Sequence, residues 1–309
     1  MKLHRSLRWG RVAAFIVFVT VWLYILHQFL QAYKLSTVST GFVNGSGSAA
    51  PVVQCPERLI IHCDTNITGY YWSVLSSLPA SNTSLELKYM AKPTHVFGQP
   101  LSSVFHASDV ERILLLMEWG GIFLDTDMLV LRSLDTFRHY EMVVGWPPDQ
   151  FMGTQILIAH KDARFLPMWL DGYRRYHPTD WYYNAGQWPT EQLLKKQPEL
   201  VHRVPYTFGV DNFSAMLYGV TRWQRWRTMH TIHLLSRHPP APQNLDEDFV
   251  RHYRSPFGEI ARWLLYKLEP KVNFPQRSQS KFLRSSSLVT RISLKQGQTG
   301  QLLLARASG

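Results

Sequence analysis

The sequence predicts a mixed α/β fold with a sheet that is covered on both faces. Short apolar segments of strand length recur along the chain, among them RLIIH (58–62), IFLD (122–125) and TQILIAH (154–160). Helical patterns stand between them, most clearly over residues 108–117. Apolar residues make up 45% of the 309, which is enough for a substantial core. Alternating strands and helices of this kind are typical of α/β domains.

The chain begins with a basic segment followed by an apolar one. Residues 1–11 contain four basic and no acidic side chains, and residues 12–30 read VAAFIVFVTVWLYILHQFL. The apolar stretch is long enough to cross a bilayer as one transmembrane helix. The positive-inside bias places residues 1–11 in the cytosol and the remainder in a lumen. A cleaved signal peptide is the alternative, although its apolar region is usually shorter, about 7 to 15 residues.

The residues after this apolar segment divide into three parts. Residues 31–54 are rich in Ser, Thr, Gly and Ala and are expected to form a flexible stem. Residues 55–272 are expected to form the folded domain, and residues 273–309 a disordered tail. Four triplets fit the N-glycosylation pattern, which agrees with a lumenal domain. They begin at Asn44, Asn66, Asn82 and Asn212.

The distribution of charge and the number of cysteines argue against two classes of function. The net charge is +11, but most of it lies in residues 1–11 and in the tail, so the central domain is near neutral. A nucleic-acid partner is therefore not expected. Cys55 and Cys63 are the two cysteines, too few for a cysteine-based zinc site. They form either one disulfide or two thiols.

The sequence also predicts where the central helix begins and ends, and several further strands and helices. Ser108 and Glu111 fit a capping box at the start of the central helix, and Gly120-Gly121 ends it. Strands are further predicted at 85–90, 128–131 and 142–146, and helices at 70–78 and 165–176.

Two acids stand where an apolar strand ends. Asp125 and Asp127 are two residues apart, so in an extended chain both side chains project to one side. Ligands of open α/β sheets bind beyond the carboxyl ends of strands. Two adjacent carboxylates repel each other, which favours a compensating cation. Oxygen ligands suit Mg²⁺ or Mn²⁺. The alternative is a turn in which both acids are merely solvated.

The flanking residues resemble a known family. The segment HASDVERILLLMEWGGIFLDTDMLVL (106–131) resembles the DXD-motif glycosyltransferases, a group that includes α-1,4-galactosyltransferases, α-1,4-N-acetylglucosaminyltransferases and initiating α-mannosyltransferases. The matching positions are His106, Ala107, Ser108, Asp109, Arg112, Gly120, Gly121, Asp125 and Asp127. The resemblance extends over about residues 56–265 and implies a GT-A-like nucleotide-diphospho-sugar transferase domain behind a single N-terminal transmembrane helix.

The resemblance also implies an activity. The chain would move a hexose or N-acetylhexosamine from a nucleotide-sugar, expected to be a UDP-sugar, to a glycan or glycolipid acceptor. The reaction would need Mn²⁺ (or Mg²⁺) and retain the anomeric configuration. Asp125 and Asp127 would bind the metal and through it the donor diphosphate, while Asp109 and Arg112 would contact the donor. The expected location is the Golgi membrane, as a single-pass type II protein with a lumenal domain.

Two later segments add candidate residues. Residues 176–191 are rich in aromatic side chains, and Trp181, Tyr182 and Trp188 form either a stacking wall for a ring or ordinary packing. Asn184 is a candidate donor-binding residue in this segment. His233, in TIHLLS, matches a position at which the family carries a metal- or phosphate-reaching histidine; a histidine bonded within the core is the alternative. The sequence assigns no catalytic nucleophile or base.

The chain departs from the family pattern in one respect. Family members carry an earlier strand that lines the base-binding pocket, and here the stem stands almost directly before Pro56. An inactive lumenal sugar-binding relative and an incomplete gene model are therefore alternatives. A phosphatase with an Asp-x-Asp nucleophile is a further one, but such enzymes usually carry Thr or Val where Leu129 stands.

Overall fold

The computed structural model describes residues 58–64, 66–69, 72–73, 76, 84–219, 222–243 and 246–266. The predicted anchor, stem and tail, together with Cys55, lie outside these ranges. Within the described ranges, no helix combines the length and the apolar character that crossing a bilayer requires.

The described elements alternate strands and helices, and the fold is mixed α/β as predicted. In chain order the strands are β1 (Arg58–Cys63), β2 (Ser84–Tyr89), β3 (His95–Val96), β4 (Gln99–Pro100), β5 (Gly121–Leu124), β6 (Met128–Val130), β7 (Met142–Gly145), β8 (Ile156–Ala159), β9 (His202–Val204) and β10 (Thr231–His233). The α-helices are α1 (Val104–Trp119), α2 (Phe165–Asp171), α3 (Ser214–Tyr218), α4 (Glu247–His252) and α5 (Pro256–Tyr266). The chain from 183 to 194 winds as two π-helical turns, Tyr183–Gln187 and Pro189–Leu194.

A four-stranded sheet forms the centre, in the order β5-β8-β7-β9. β8 pairs antiparallel with both β5 and β7, and β9 pairs parallel with β7. The described residues also form three smaller pairs. β1 and β2 are parallel, while β3 pairs antiparallel with β4 and β6 with β10. The predicted strands at 58–62, 85–90, 122–125, 128–131, 142–146 and 154–160 are confirmed with small shifts at their ends.

Side chains alternate between the two faces of this sheet, and both faces are covered. Met142 and Val144 of β7 face a core that includes Ile113 of α1 and Trp169 of α2. Val143, between them, faces the opposite core, which β6 and the turn around Phe137 help to build, with Phe208. A third core joins α5 to β6 and β10 through Leu129, Ile232 and Phe257. The β6–β10 pair therefore lies between the sheet and the C-terminal helices.

The start of α1 differs from the prediction. Its N-cap is Ser103, whose side chain accepts a hydrogen bond from the backbone N–H of His106. The capping box predicted at Ser108 and Glu111 is wrong, because both residues lie inside the helix. Ser103 offers the same hydroxyl one turn earlier, so the helix extends back to Val104. At the other end, Gly120 has a positive φ of 64° and donates its N–H to the Leu116 carbonyl, which ends the helix as predicted.

The second predicted helix is confirmed in part. Residues 165–171 form α2, and Gly172–Arg175 continue it as a turn of 3-10 helix. Of the helix predicted at 70–78, only residues 72, 73 and 76 are described, and all three are helical.

Candidate functional site

The two acids of the Asp-Thr-Asp segment lie in the tight turn between β5 and β6. The backbone N–H of Asp125 donates to the Gln155 carbonyl at 2.9 Å, which continues the pairing of β5 with β8 for one more residue. The N–H of Met128 donates to the Asp125 carbonyl at 3.0 Å and closes the turn. The backbone therefore fixes both acids at the edge of the central sheet.

Asp127 is held by the segment that follows β10. Its Oδ1 lies 3.2 Å from Nε2 of His233, and its Oδ2 accepts hydrogen bonds from N and Oγ of Ser236, both at 3.1 Å. The side chains of Asp127 and His233 are 14% and 11% exposed. Burial opposes ionisation of Asp127, but the bonds from His233 and Ser236 outweigh it and lower its pKa to about 2. Asp127 is therefore a carboxylate at any physiological pH.

Arg112 connects α1 to the same turn. Its Nη2 lies 3.1 Å from Oδ1 of Asp109 and 3.4 Å from Oδ1 of Asp125. Its Nη1 donates to the Thr154 carbonyl at 2.7 Å. Nε and Nη2 also donate to the carbonyl and hydroxyl of Ser108, at 3.2 and 3.3 Å. The guanidinium is 6% exposed, so it is a buried, fully bonded cation between two carboxylates.

The pKa values of the other two acids move in the opposite direction to that of Asp127. Burial raises the pKa of Asp109 to about 6, because Arg112 offsets only part of the desolvation and Asp125 adds repulsion. Burial also raises the pKa of Asp125, against the attraction of Arg112 and His233. The cluster therefore has more negative than positive charge to accommodate at neutral pH. A cation that reached Asp125 would relieve this imbalance.

Comparison with known proteins agrees with this arrangement. Residues 55–144 match the family model described as glycosyltransferase sugar-binding region containing DXD motif. This match contains Asp109, Arg112, Asp125 and Asp127.

Over these residues the chain is similar to the DXD-motif glycosyltransferases.

A curated relative extends the likeness. The chain is 26% identical over 150 residues to glucan organizing enzyme 1 of Cryptococcus neoformans var. grubii. The aligned part is 45% of this chain and 37% of that protein, so the chain spans little more than a third of the relative's length. No solved structure matches the chain at a significant level.

The donor atoms of this cluster fit a divalent cation in their chemistry. Carboxylate oxygens of Asp125 and Asp127, with the imidazole of His233, are ligands that Mn²⁺ accepts. In the described part of the chain, no three His, Cys, Asp or Glu side chains already converge on one metal position. The excess negative charge around Asp125 supports the fit, since a buried carboxylate with a raised pKa is stabilised by a cation.

The structure brings five of the six predicted site residues together and leaves out the sixth. Asp109, Arg112, Asp125, Asp127 and His233 form one network. Asn184 is 4% exposed and makes its bonds elsewhere.

The Asn184 side chain is occupied by its own loop. Its Oδ1 accepts from the backbone N–H of His177 at 2.9 Å. Its Nδ2 donates to the carbonyls of Gly172 and Arg175, both at 3.1 Å. Through these bonds, the buried Asn184 side chain fixes the backbone of the segment that follows α2. They do not support the predicted contact between Asn184 and the sugar donor.

The three aromatic residues predicted as a stacking wall separate into two groups. Trp188 packs into the core beneath α2, where its ring fills the space above Gly172. Tyr182 donates its hydroxyl to the Met152 carbonyl at 2.7 Å. Trp181 is 46% exposed and meets the ring of Phe105 edge-on at 4.6 Å. Of the three, Trp181 alone is open to solvent.

The sequence analysis missed several residues that position this site. Ser236 binds Asp127 over a separation of 109 residues. Tyr176 bonds Nδ1 of His106 at 2.5 Å and holds the 176–181 loop against the start of α1. The guanidinium of Arg237 lies 4.6 Å from the ring of Phe105, on the rim of the cluster. Ser236 and Arg237 follow His233 closely, and a search of the residues after that histidine for hydroxyl and basic groups would have found them.

Proposed function

We propose that this chain transfers a hexose or N-acetylhexosamine from a nucleotide-sugar, expected to be a UDP-sugar, to a glycan or glycolipid acceptor. We further propose that transfer requires Mn²⁺ (or Mg²⁺) and retains the anomeric configuration. The single observation that carries this proposal is the Asp125–Asp127 turn, buried between Arg112 on one side and His233 with Ser236 on the other.

In the proposed mechanism, Asp125, Asp127 and His233 would hold the cation. When bound, the cation would supply Lewis acidity for the donor diphosphate. Asp127 needs to be ionised for this role, and its bonds to His233 and Ser236 keep it so. Arg112 fixes the position of Asp125 and offsets the charge of Asp109. These residues are therefore ordered before the donor arrives, which avoids an ordering cost during the reaction.

Trp181 and Phe105 would bound the entrance to the site. Phe105 lies one helical turn before Asp109 on α1, and Arg237 covers its ring. An exposed indole beside a cation is a suitable surface for a sugar ring and for a phosphate near it. We assign no catalytic nucleophile or base.

We also propose that the protein is anchored in the Golgi membrane by residues 12–30, as a single-pass type II protein with a lumenal transferase domain. The apolar run, its basic N-terminal flank and the four glycosylation triplets support this location. Protease protection of epitope-tagged protein in sealed Golgi vesicles tests it: the N-terminal tag is expected to be digested and a C-terminal tag to be protected.

The activity is tested by incubating the full chain with a panel of UDP-sugars and GDP-mannose, in Mn²⁺, in Mg²⁺ and in chelator. Release of the nucleoside diphosphate in Mn²⁺ is expected for at least one donor. Asp125→Ala and Asp127→Ala are expected to lower that rate by roughly 10²–10³-fold, the scale seen when a preorganised charge-stabilising group is removed. Asp248→Ala, at an 87% exposed side chain outside the cluster, is the matched control and should leave the rate unchanged.

The outcomes separate the alternatives. Donor binding without turnover for any donor would indicate a sugar-binding relative without transferase activity. Hydrolysis of p-nitrophenyl phosphate that depends on Asp125 would indicate a phosphatase. Manganese-dependent release that survives both aspartate substitutions would contradict the metal assignment.

A further inference from the structure

The segment that follows β10 wraps around Asp127 and brings Arg237 to the same site. The backbone N–H of Leu234 donates to the Asp127 carbonyl at 2.9 Å, and the N–H of Ser236 donates to the Asp127 carboxylate at 3.1 Å. Leu235, between them, has a positive φ of 51°, which is uncommon for a residue other than glycine. The backbone that leads into Arg237 is therefore fixed on one of the proposed metal ligands.

The side chain of Arg237 is a cation that has no acid to pair with. It is exposed, and it forms no hydrogen bond or ion pair with any residue that the structure describes. Its guanidinium lies over the ring of Phe105, 4.6 Å from the ring centroid. A contact of this kind at an exposed site is weak beside a charge-assisted bond from arginine to phosphate. The guanidinium is therefore available to an anionic ligand.

Arg112, the other arginine of the site, is already bound. Its side chain is 6% exposed, and Nη2 lies within ion-pair distance of Asp109 and Asp125. Nη1 donates to the Thr154 carbonyl. The guanidinium cannot turn to a ligand without leaving buried carboxylates unpaired, which is costly. Of the two arginines, Arg237 is the one that remains open to a ligand.

The charge of Arg237 nevertheless reaches the aspartates. Burial raises the pKa of Asp125, and the charges of Arg112, His233 and Arg237 act against that rise. The ring on which the guanidinium rests belongs to α1, the helix that also carries Arg112. Because the guanidinium of Arg237 is exposed and still acts on Asp125, it lies at the solvent-facing edge of the acid cluster.

The charge balance of the cluster leaves a donor without a second cation. With a divalent cation in place and His233 neutral, as a metal ligand must be, the three aspartates of the cluster are balanced by that cation together with Arg112. A donor diphosphate then adds negative charge for which the buried residues hold no further partner. An exposed and uncommitted guanidinium next to the cluster supplies one.

We propose that Arg237 is a donor-binding residue, whose guanidinium moves from the Phe105 ring to the diphosphate of the nucleotide-sugar. This role rests on the proposed transferase function and adds a residue to it. The planar fork of an arginine side chain matches two oxygens of a phosphate. It also gives the departing diphosphate a positive partner in addition to the cation.

Calorimetric titration of the full chain with UDP and with GDP, at pH 7 in excess Mn²⁺, tests the proposal. Arg237→Met is expected to weaken the binding of the nucleotide that binds by roughly 10- to 100-fold, because a charged hydrogen bond is lost. Arg237→Lys keeps the charge without the fork, so its affinity should lie between the two. The matched control is Arg174→Met, since Arg174 also lies over an aromatic ring, that of Phe97 at 4.3 Å. It should bind nucleotide as the wild-type protein does.

A titration with Mn²⁺ alone separates ligand binding from support of the turn. Removing a positive charge near Asp125 should leave the Mn²⁺ affinity unchanged or raise it. If Arg237→Met weakened Mn²⁺ and nucleotide binding together, Arg237 would instead stabilise the turn around Asp127, and the proposal would be overturned. Unchanged nucleotide affinity in Arg237→Met would also overturn it and would leave the transferase proposal intact. If the wild-type chain bound neither UDP nor GDP, both proposals would fail.

Discussion

The side chains at the two ends of the β6–β10 pair differ in charge and in hydrogen bonding. At the Asp127 end, charged side chains are buried and each finds partners: His233 and Ser236 for Asp127, Arg112 for Asp125. At the His230 end, Tyr140, His202 and His230 border an open groove, and Arg203 is the one charged residue among those that line it. Three residues of β10 link the two ends.

The difference shows that electrostatic cost is concentrated at one end of this small strand pair. A buried carboxylate cluster has to be neutralised, so its geometry is fixed by paired charges. A groove lined by neutral side chains and one exposed cation has little electrostatic cost of formation. Changes to charge should therefore be severe at the Asp127 end and mild at the His230 end.

The largest expected effect comes from Arg112→Met. Asp109 and Asp125 would then be buried without their cation, which typically lowers the free energy of unfolding by about 3–5 kcal/mol. The loss should be smaller below pH 6, where Asp109 takes up a proton. Urea unfolding at pH 5 and pH 7 measures both effects.

The matched control for Arg112→Met is Arg138→Met at the other end of the pair. Arg138 is 70% exposed and pairs with Asp135, which is 61% exposed, so its loss should change stability by no more than about 0.5 kcal/mol. If Arg112→Met and Arg138→Met lowered the free energy of unfolding equally, the predicted difference between the two ends would be wrong.

The second-largest effect is the dependence of stability on pH that Asp109 causes. Because the pKa of Asp109 is raised to about 6 in the folded protein, the folded state retains a proton that the unfolded state releases. Its contribution to stability is complete below about pH 4 and is lost as pH rises through 6, a fall of about 3 kcal/mol. Asp109→Asn should reduce this slope in urea unfolding measured in chelator between pH 4 and 7, and the raised pKa of Asp125 should account for part of what remains. Asp127 acts in the opposite sense, but below this window.

Asp135→Asn serves as the control for the pH slope, since that carboxylate is exposed. It should retain the wild-type dependence. A slope that is as steep in Asp109→Asn as in the wild-type protein would show that another group carries it.

Asn184→Ala separates structural bonding from ligand binding. Three hydrogen bonds to the backbone would be lost and buried groups left unpaired, so stability should fall by about 1–3 kcal/mol. The affinity for a UDP-sugar should not change while the protein is folded. An affinity loss at unchanged stability, measured by calorimetry and by melting, would instead establish the donor contact predicted for Asn184.

The smallest effect is expected for Ser236→Ala. Asp127 would lose one of its three bonds, so its pKa should rise and its affinity for Mn²⁺ should fall about tenfold, as is usual for partners of metal ligands. Titration with Mn²⁺ at pH 7 measures it. Ser133→Ala removes a similar serine–aspartate bond, to Asp135, and should leave Mn²⁺ affinity unaltered.

The residues that the sequence could predict are those fixed by local pattern. Asp109 and Arg112 lie one turn apart on α1, and Asp125 and Asp127 lie two residues apart, so spacing predicts a common face within each pair. The family resemblance joins the two pairs and adds His233. The role of Ser236 depends on the antiparallel pairing of β6 with β10, a contact between distant segments that periodicity does not encode. The donor contact of Asn184 stays a prediction, because an amide among aromatic residues is equally compatible with a ligand and with hydrogen bonds to the backbone.

The bond between Asp127 and the residues after β10 has a consequence for any shortened form of this protein. The matched sugar-binding region stops at residue 144, whereas the groups that keep Asp127 ionised are contributed by residues 233 and 236. A fragment that ends with the matched region would carry both aspartates and still lack the partners that prepare one of them for a metal. The segment that the family model matches is therefore shorter than the length of chain that keeps Asp127 ionised.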